Sequence, residues 1–556
     1  MAKATKIKKI ITSSLVFYFL YSCANQLPPG GGPPDTIAPE IIDVYPSDQT
    51  INFDDEIIEI TFSEYVNKRS VQESIFISPN IEGIIEYDWS GKSVELELPD
   101  TLKKNTTYTI TIGTDVEDIN NKNRMDQSFT FAFSTGDKID RGTILGSVFD
   151  EIPSGIMIYS YKAESDTLNP TKQKPNYITQ TGENGSFKLS GLGDGLYRVF
   201  AVRDQFKDFL YDPEQDQFGA PFKEIFLDES DSLFTGLNYQ MQIEDTTKPR
   251  LLNLTMTDQY HMLVEYSEPI DSSKVSADNF YVFDSTSSVQ TNVKYFFKGR
   301  TKSKNYLLAL SDTLSESDGY HLVTKNIVDR FGNILEYEST SFVQNNNPDT
   351  VAAEMFRMET KYPQNKIDFE NGKLRLLFTD GFNQSEIENI FTVVDLRRNK
   401  IEPTIDKIDD ATIDMKFAEL TPNTDYEIYI DYNRLIDAAG NKVDSVFTHE
   451  FSSINNLDFS GLSGNVSISD KLNIVVMITN VDNPKINYKS TGQNFDFQRV
   501  FPGSYLLIAF DDKNENEKYD HGSIFPFEPA ERFVVYPDTL ELKPRWPVGD
   551  IKLRFE

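Results

Sequence analysis

Cysteine is nearly absent from this chain of 556 residues, which contains one, at position 23. A lone thiol has no disulfide partner, so no covalent framework is expected. Histidine (four) and tryptophan (two) are almost as scarce. His261, His321, His449 and His521 lie far apart in the sequence, and none forms a His-Glu-x-x-His or i, i+4 pair. The chain has neither a Gly-x-Ser-x-Gly elbow nor a phosphate loop, so the usual carriers of nucleophilic, metal-assisted and phosphoryl chemistry are missing, and no catalytic residue is assigned. Positive charge is also in deficit. Against 87 Asp and Glu stand 54 Lys and Arg, a balance of -33 that repels phosphate backbones and argues against nucleic acid as a partner. After residue 20 no apolar run approaches the roughly 20 residues that a spanning helix needs.

What is abundant is β-forming and aromatic. With 40 Phe, 27 Tyr and 38% apolar residues the chain can fill several cores, and its length is too great for one. Period-2 alternation dominates: Ile58, Ile60 and Phe62 alternate with Glu59, Thr61 and Ser63, and Val94, Leu96 and Leu98 with Glu95 and Glu97. Tyr108, Ile110 and Ile112, then Phe129, Phe131 and Phe133, continue the pattern. These are half-buried strands, and long helical periodicity is lacking, so the expected class is all-β.

The N-terminus carries an address. Lys3, Lys6, Lys8 and Lys9 precede an apolar run from Ile10 to Leu20, followed by Leu20-Tyr-Ser-Cys23, the layout of a secretory signal over residues 1–22. The last four residues resemble a bacterial lipobox, which implies cleavage and acylation at Cys23. Loss of residues 1–22 removes four lysines and no acids, leaving 50 minus 87, or -37. Residues 23–35 are rich in Pro and Gly and read as a tether. Ala24 stands where an inner-membrane retention signal would have Asp, and no acidic cluster follows. This favours the outer membrane, with its periplasmic face preferred over the cell surface.

Two internal repeats organise the remainder. Leu102, Leu314 and Leu420 each precede a Tyr (Tyr108, Tyr320, Tyr426) by six residues. A turn follows in each copy, at Asp118-Ile-Asn-Asn121, Asp329 to Asn333 and Asp437 to Asn441. Phe62-Ser-Glu64, Tyr266-Ser-Glu268 and Phe378-Thr-Asp380 end an early strand in each copy, and Asp35-Thr-Ile-Ala-Pro39 and Asp245-Thr-Thr-Lys-Pro249 open the first two. The Leu-to-Tyr spacing looks like a tyrosine corner, and the set resembles the bacterial Ig-like module. In the second repeat, Gly195-Leu-Tyr197 with Ala201, Asp204, Tyr211 and Asp212 matches Gly503-Ser-Tyr505 with Ala509, Asp512, Tyr519 and Asp520 at an offset of 308. That pattern resembles the carboxypeptidase-regulatory or prealbumin-like β-sandwich. The expected architecture is therefore a tandem array of five modules: Ig-like at 36–137, regulatory-like at 138–244, Ig-like at 245–348 and 349–455, and regulatory-like at 456–556. Short linkers suggest a rod.

Three groups of residues stand out as candidate sites. Asp512, Asn514, Asn516 and Asp520 place oxygen side chains at positions 1, 3, 5 and 9 of a loop resembling an EF-hand, a candidate calcium site, or else a solvated acidic hairpin whose side chains hold their own backbone. Glu64, Glu268 and Asp380 recur at one position and are expected to accept backbone N-H groups at a strand end. Phe525, Phe527 and Trp546 are expected in a core, with a sugar-stacking or docking patch as the alternative. No cofactor is expected apart from that possible structural calcium. The leading functional expectation is a non-enzymatic, lipid-anchored outer-membrane scaffold or accessory subunit with β-barrel or other envelope partners. The alternatives are a surface receptor for glycan or protein and a glycoside hydrolase built on paired carboxylates.

Overall fold

The structure is a computed structural model, and it describes residues 35–555 except 82, 100–101, 164–167 and 469–471. The cysteine at position 23 and the N-terminal signal lie outside the described residues. The chain is nearly all β, a tandem array of β-sandwich modules. Each sheet is confined to one of five successive sequence segments.

In the first segment, strands Ile41–Tyr45, Ile57–Phe62, Ser93–Glu97 and Glu86–Ser90 form one sheet, and Ile75–Ser78, Thr107–Ile112 and Phe129–Ser134 form the other. The alternation of the sequence decides which side faces in. Ile58, Ile60, Phe62, Val94, Leu96, Ile110, Ile112 and Phe133 are fully buried between the sheets. Residues 355–453 repeat this two-sheet plan. Residues 251–341 instead make one seven-stranded sheet, because the long strand Val289–Phe297 pairs with Phe280–Asp284 at one end and with Asn305–Leu310 at the other.

The repeated motifs have recognisable mechanical roles. Tyr108 and Tyr426 each accept a bond, both 2.8 Å, from the backbone N-H five residues upstream, Lys103 and Thr421; Tyr320 donates to the Ser315 carbonyl at 2.9 Å. All three are tyrosine corners. The hydroxyl of Ser63, Ser267 or Thr379 accepts the N-H of Glu40, Arg250 or Glu354 at 3.0 Å, and the same three residues return their own N-H to those partners' carbonyls at 2.8 Å. This reciprocal pair fixes the start of the module's first strand. A shift in pairing register follows at Ile41/Asp43, Leu251/Asn253 and Met355/Arg357.

Residues 142–243 and 460–554 share a second plan. In each, the last long strand runs parallel to the first: Leu233–Gln240 beside Gly142–Phe149, and Val548–Arg554 beside Ser460–Ser467. Gly464 lies where a Cβ would strike the Ile551 carbonyl, so only glycine lets these strands approach. Gly195 and Gly503 have φ of 149° and 148°, and Tyr197 and Tyr505 bond the carbonyls of Gly193 and Phe501 at 2.7 and 2.6 Å.

The rod expected from the linkers is not what forms. The last segment folds back onto the second: the Ala530 N-H donates to the Pro221 carbonyl at 3.1 Å, Phe149 meets Phe533 at 5.6 Å, and the Arg198 guanidinium lies 4.1 Å above the Phe527 ring. Segments one and two, three and four, and four and five are joined by buried contacts too. Phe76 of the first enters a cluster with Tyr159 and Phe200 of the second, and Tyr362 of the fourth packs 4.9 Å from Phe501 of the fifth. With the chain itself linking segments two and three, segments two to five close into a circuit, and the first is docked beside the second. Apolar faces turned outward from separate sandwiches cover one another, and their burial outweighs the freedom that linkers alone would leave.

Candidate functional site

The recurring acids Glu64, Glu268 and Asp380 lie at the module entrances. Each meets the Asp that opens its module, and in the first two copies also the Asp of the later turn, giving Asp35–Glu64–Asp118 and Asp245–Glu268–Asp329 with carboxylate oxygens within 4.8 Å of one another. The turn Asp holds its own loop. Asp118 Oδ1 accepts the N-H groups of Asn120, Asn121 and Lys122 at 2.8–2.9 Å, and Asp329 Oδ1 those of Phe331 and Asn333 at 2.8 and 2.9 Å. An Asn amide then reaches the entering chain: Asn123 donates to the Asp35 carbonyl at 3.1 Å, Asn333 to that of Asp245 at 2.9 Å, and Asn441 to that of Asp349 at 3.3 Å. In the first copy Asn123, not Asn121, is the repeat's equivalent. The strand-end acids were expected to accept backbone N-H groups. Asp380 does so, from Gly381 at 2.6 Å, whereas Glu268 hydrogen-bonds Asp245. Burial, that bond and repulsion from Asp245 push the Glu268 carboxyl up to about 7, and burial with repulsion from Asp118 and Asp35 raises that of Glu64.

The third copy differs. His261, from the preceding module, enters the cluster with Nε2 3.1 Å from Asp380 and Nδ1 3.1 Å from Asp258 and 3.9 Å from Asp349. Both ring nitrogens face carboxylates, which only accept, so the ring is held as the doubly protonated cation. Burial alone would lower its pKa, but the hydrogen bonds and charges of Asp258 and Asp380 prevail and push it up to about 10. The sequence offers no His-Glu-x-x-His or i, i+4 pair at this histidine; Asp258 is three residues away, but Asp349 and Asp380 lie 88 and 119 residues away. A cue was present in Asp349-Thr350, which repeats the Asp-Thr that opens the other two copies.

The acidic loop of the last module is organised by its own groups. Asp512 accepts the N-H of Asn516 at 3.1 Å and of Glu517 at 2.8 Å, and the amides of Asn514 and Asn516 donate to Asp520 at 2.6 and 3.2 Å. Glu531, which sequence reading missed, is buried behind the loop and accepts from Lys513 at 2.8 Å and Asp520 at 3.2 Å. Asp216 does the same for Gln205 and Asp212, both at 2.9 Å and both 308 residues earlier. A cation ligated by Asp512, Asn514, Asn516 and Asp520 would compete with these bonds. Phe527 is half-buried against Phe200 and Arg198 of the second module, at the edge of a core cluster. The core expectation fails for the other two: Phe525 is 45% exposed and Trp546 is 74% exposed. Neither ring is covered by a facing sheet.

Residues 35–135 match the bacterial Ig-like domain family. Tandem Ig-like sandwiches are thus the common ground of sequence and structure. Among curated proteins none matches the chain. Among solved structures, the N-terminal part of the bacterial S-layer protein SbsC is 12% identical with a TM-score of 0.17, over 38% of this chain and 45% of that one. The chain thus spans less than half the length of that structure. Domains 1–6 of SbsC give 9% and 0.18 over 91% and 67%, and BcpA, the major pilin subunit of Bacillus cereus, gives 9% and 0.14 over 75% and 99%. Among the described residues no helix is long and apolar enough to cross a membrane.

Proposed function

We propose that the chain is a non-enzymatic lipoprotein, acylated at Cys23 and held at the outer membrane, that acts as scaffold or accessory subunit of an envelope complex built around a β-barrel partner. In this reading the two segments of the second plan are the regulatory-like, prealbumin-like modules. The observation that carries it is the closed packing: contacts such as Ala530–Pro221 and His261–Asp380 fix the angles between modules, as a part that holds others in register requires. The clustered acids bond to turn amides and to one another, which supports a structural role for them over that of a glycoside hydrolase's acid and base. Affinity purification with the anchor intact is expected to recover a stoichiometric barrel complex; recovery of the chain alone in several detergents would overturn the proposal.

The exposed rings of Phe525 and Trp546 favour one second reading, a surface receptor for glycan or protein. Protease treatment of intact against permeabilised cells separates the two: protection until permeabilisation fits the periplasmic scaffold, and cleavage on intact cells fits the receptor. A structural calcium in the 512–520 loop is read by calorimetric titration of the mature chain, where heat removed by Asp512→Ala supports it and silence at millimolar calcium ends it.

A further inference from the structure

The chain enters its first module at Asp35, whose carbonyl is gripped by Asn121 Nδ2 at 2.6 Å and Asn123 Nδ2 at 3.1 Å. The same turn carries Ile119 and Lys122. The Ile119 N-H donates to the Tyr65 carbonyl at 3.2 Å, which sets the two side chains together, and both are more than half exposed, at 59% and 55%. Beside them Lys68 holds its ammonium 5.2 Å from the centre of the Trp89 ring, across a shallow cleft that all five residues line. Among the described residues neither Lys68 nor Lys122 is paired with a carboxylate, although the chain as a whole is strongly acidic. Asp118 at the cleft floor is buried and already accepts three N-H groups.

We propose that this end of the first module, with Tyr65, Lys68, Trp89, Ile119 and Lys122, rests on the headgroups of a phospholipid bilayer. The proposal builds on the reading of Cys23 as acylated. Eleven residues separate Cys23 from Asp35, a span of at most about 40 Å, so the clamp at Asp35 places this end of the module nearest the anchor. The chemistry suits that position. Trp and Tyr combine an apolar ring with a polar tip and settle at the headgroup level, lysine stems lie along apolar surface while their ammonium groups reach phosphate, and an exposed Ile adds shallow insertion. Lysines near an anionic surface add electrostatic attraction, and tethering raises the effective concentration of bilayer to roughly millimolar, so a contact too weak to recruit a free protein is populated in an anchored one.

The two tryptophans, Trp89 and Trp546, make the test direct. Trp546→Phe leaves Trp89 as the sole indole in the full mature chain, incorporated in phosphatidylethanolamine and phosphatidylglycerol vesicles that carry a headgroup spin label. Its emission is expected to shift to the blue and to be mostly quenched, while in Trp89→Phe the remaining Trp546 stays unquenched. The triple variant Tyr65→Ser, Lys68→Glu, Lys122→Glu is expected to stay on the vesicles through its acyl chain yet recover Trp89 emission. Unquenched Trp89 on a vesicle-bound protein overturns the proposal, as does quenching relieved by soluble oligosaccharide, which would make the cleft a sugar site. Intact mass reports the acyl group separately. If it is absent, the unacylated chain is coupled through its one thiol, Cys23, to a maleimide-bearing lipid in the same vesicles, and there quenching of Trp89 supports the patch and none overturns it.

Discussion

His261 shows what one side chain does between modules. Its pKa is raised from about 6.5 to about 10, so its stabilising effect is complete below the unfolded value and is lost as pH rises through the folded one. Replacing it with Ala leaves Asp380 buried without its cation, a loss of about 3 kcal/mol at pH 7. Denaturant melts of wild type and His261→Ala should therefore differ most between the ordinary carboxylate range and about pH 6.5, then draw together as pH rises and converge above pH 10. Glu268 loses stability in the same direction of pH, but here the favoured form is the neutral one. Its carboxyl, lifted to about 7 beside Asp245, favours the protonated form in the folded chain, so stability falls as pH rises from the ordinary glutamate range through 7. Glu268→Gln keeps a donor for Asp245 without the charge. It should raise the thermal midpoint at pH 8, with the gain vanishing below pH 5; an equal gain at both pH values would sink the assignment.

At the scale of the element, the recurring motifs are joints. Tyr426 closes a Greek-key corner through its hydroxyl, and Tyr426→Phe leaves the Thr421 N-H without that acceptor, for a loss of about 1–2 kcal/mol in a chemical denaturation series. Gly464 matters through what it lacks. Ala there would push Ile551 off its parallel partner and crowd Phe495, which should lower stability by about 2 kcal/mol or more and speed amide exchange in residues 548–554 first. Gly464 is not at positive φ, so its cost is steric; alanine at Gly492, at φ 100° with open space around it, is the contrasting case of backbone strain alone.

For the whole molecule, the decisive contact joins segments that are distant in sequence. Phe527 fits between Phe200 and the Arg198 guanidinium, and Phe533 lies against Phe149. Replacing both Phe527 and Phe533 with Glu would put charge into that apolar seam and should open the circuit. Small-angle scattering of the mature chain is expected to show a larger radius of gyration and maximum dimension for the double variant; an unchanged profile would mean that the other joints alone hold the modules in place.

Local sequence determined the strands, their inward faces and the corners, because alternation, turn residues and a fixed Leu-to-Tyr spacing act within a few residues of one another. The Phe-Ser-Glu repeat was visible in the same way, and its place at a strand end followed. Its partners did not: the grip of Ser63 on Glu40, the meeting of Glu268 with Asp245, and the insertion of His261 between Asp258 and Asp380 join residues whose separation carries no period. The rod was the natural reading of short linkers, since composition shows how far a chain can reach but not which outward apolar faces will find each other. Only the packed molecule decides that, because burying Phe76, Phe527 and Phe533 depends on matching surfaces contributed by three different modules.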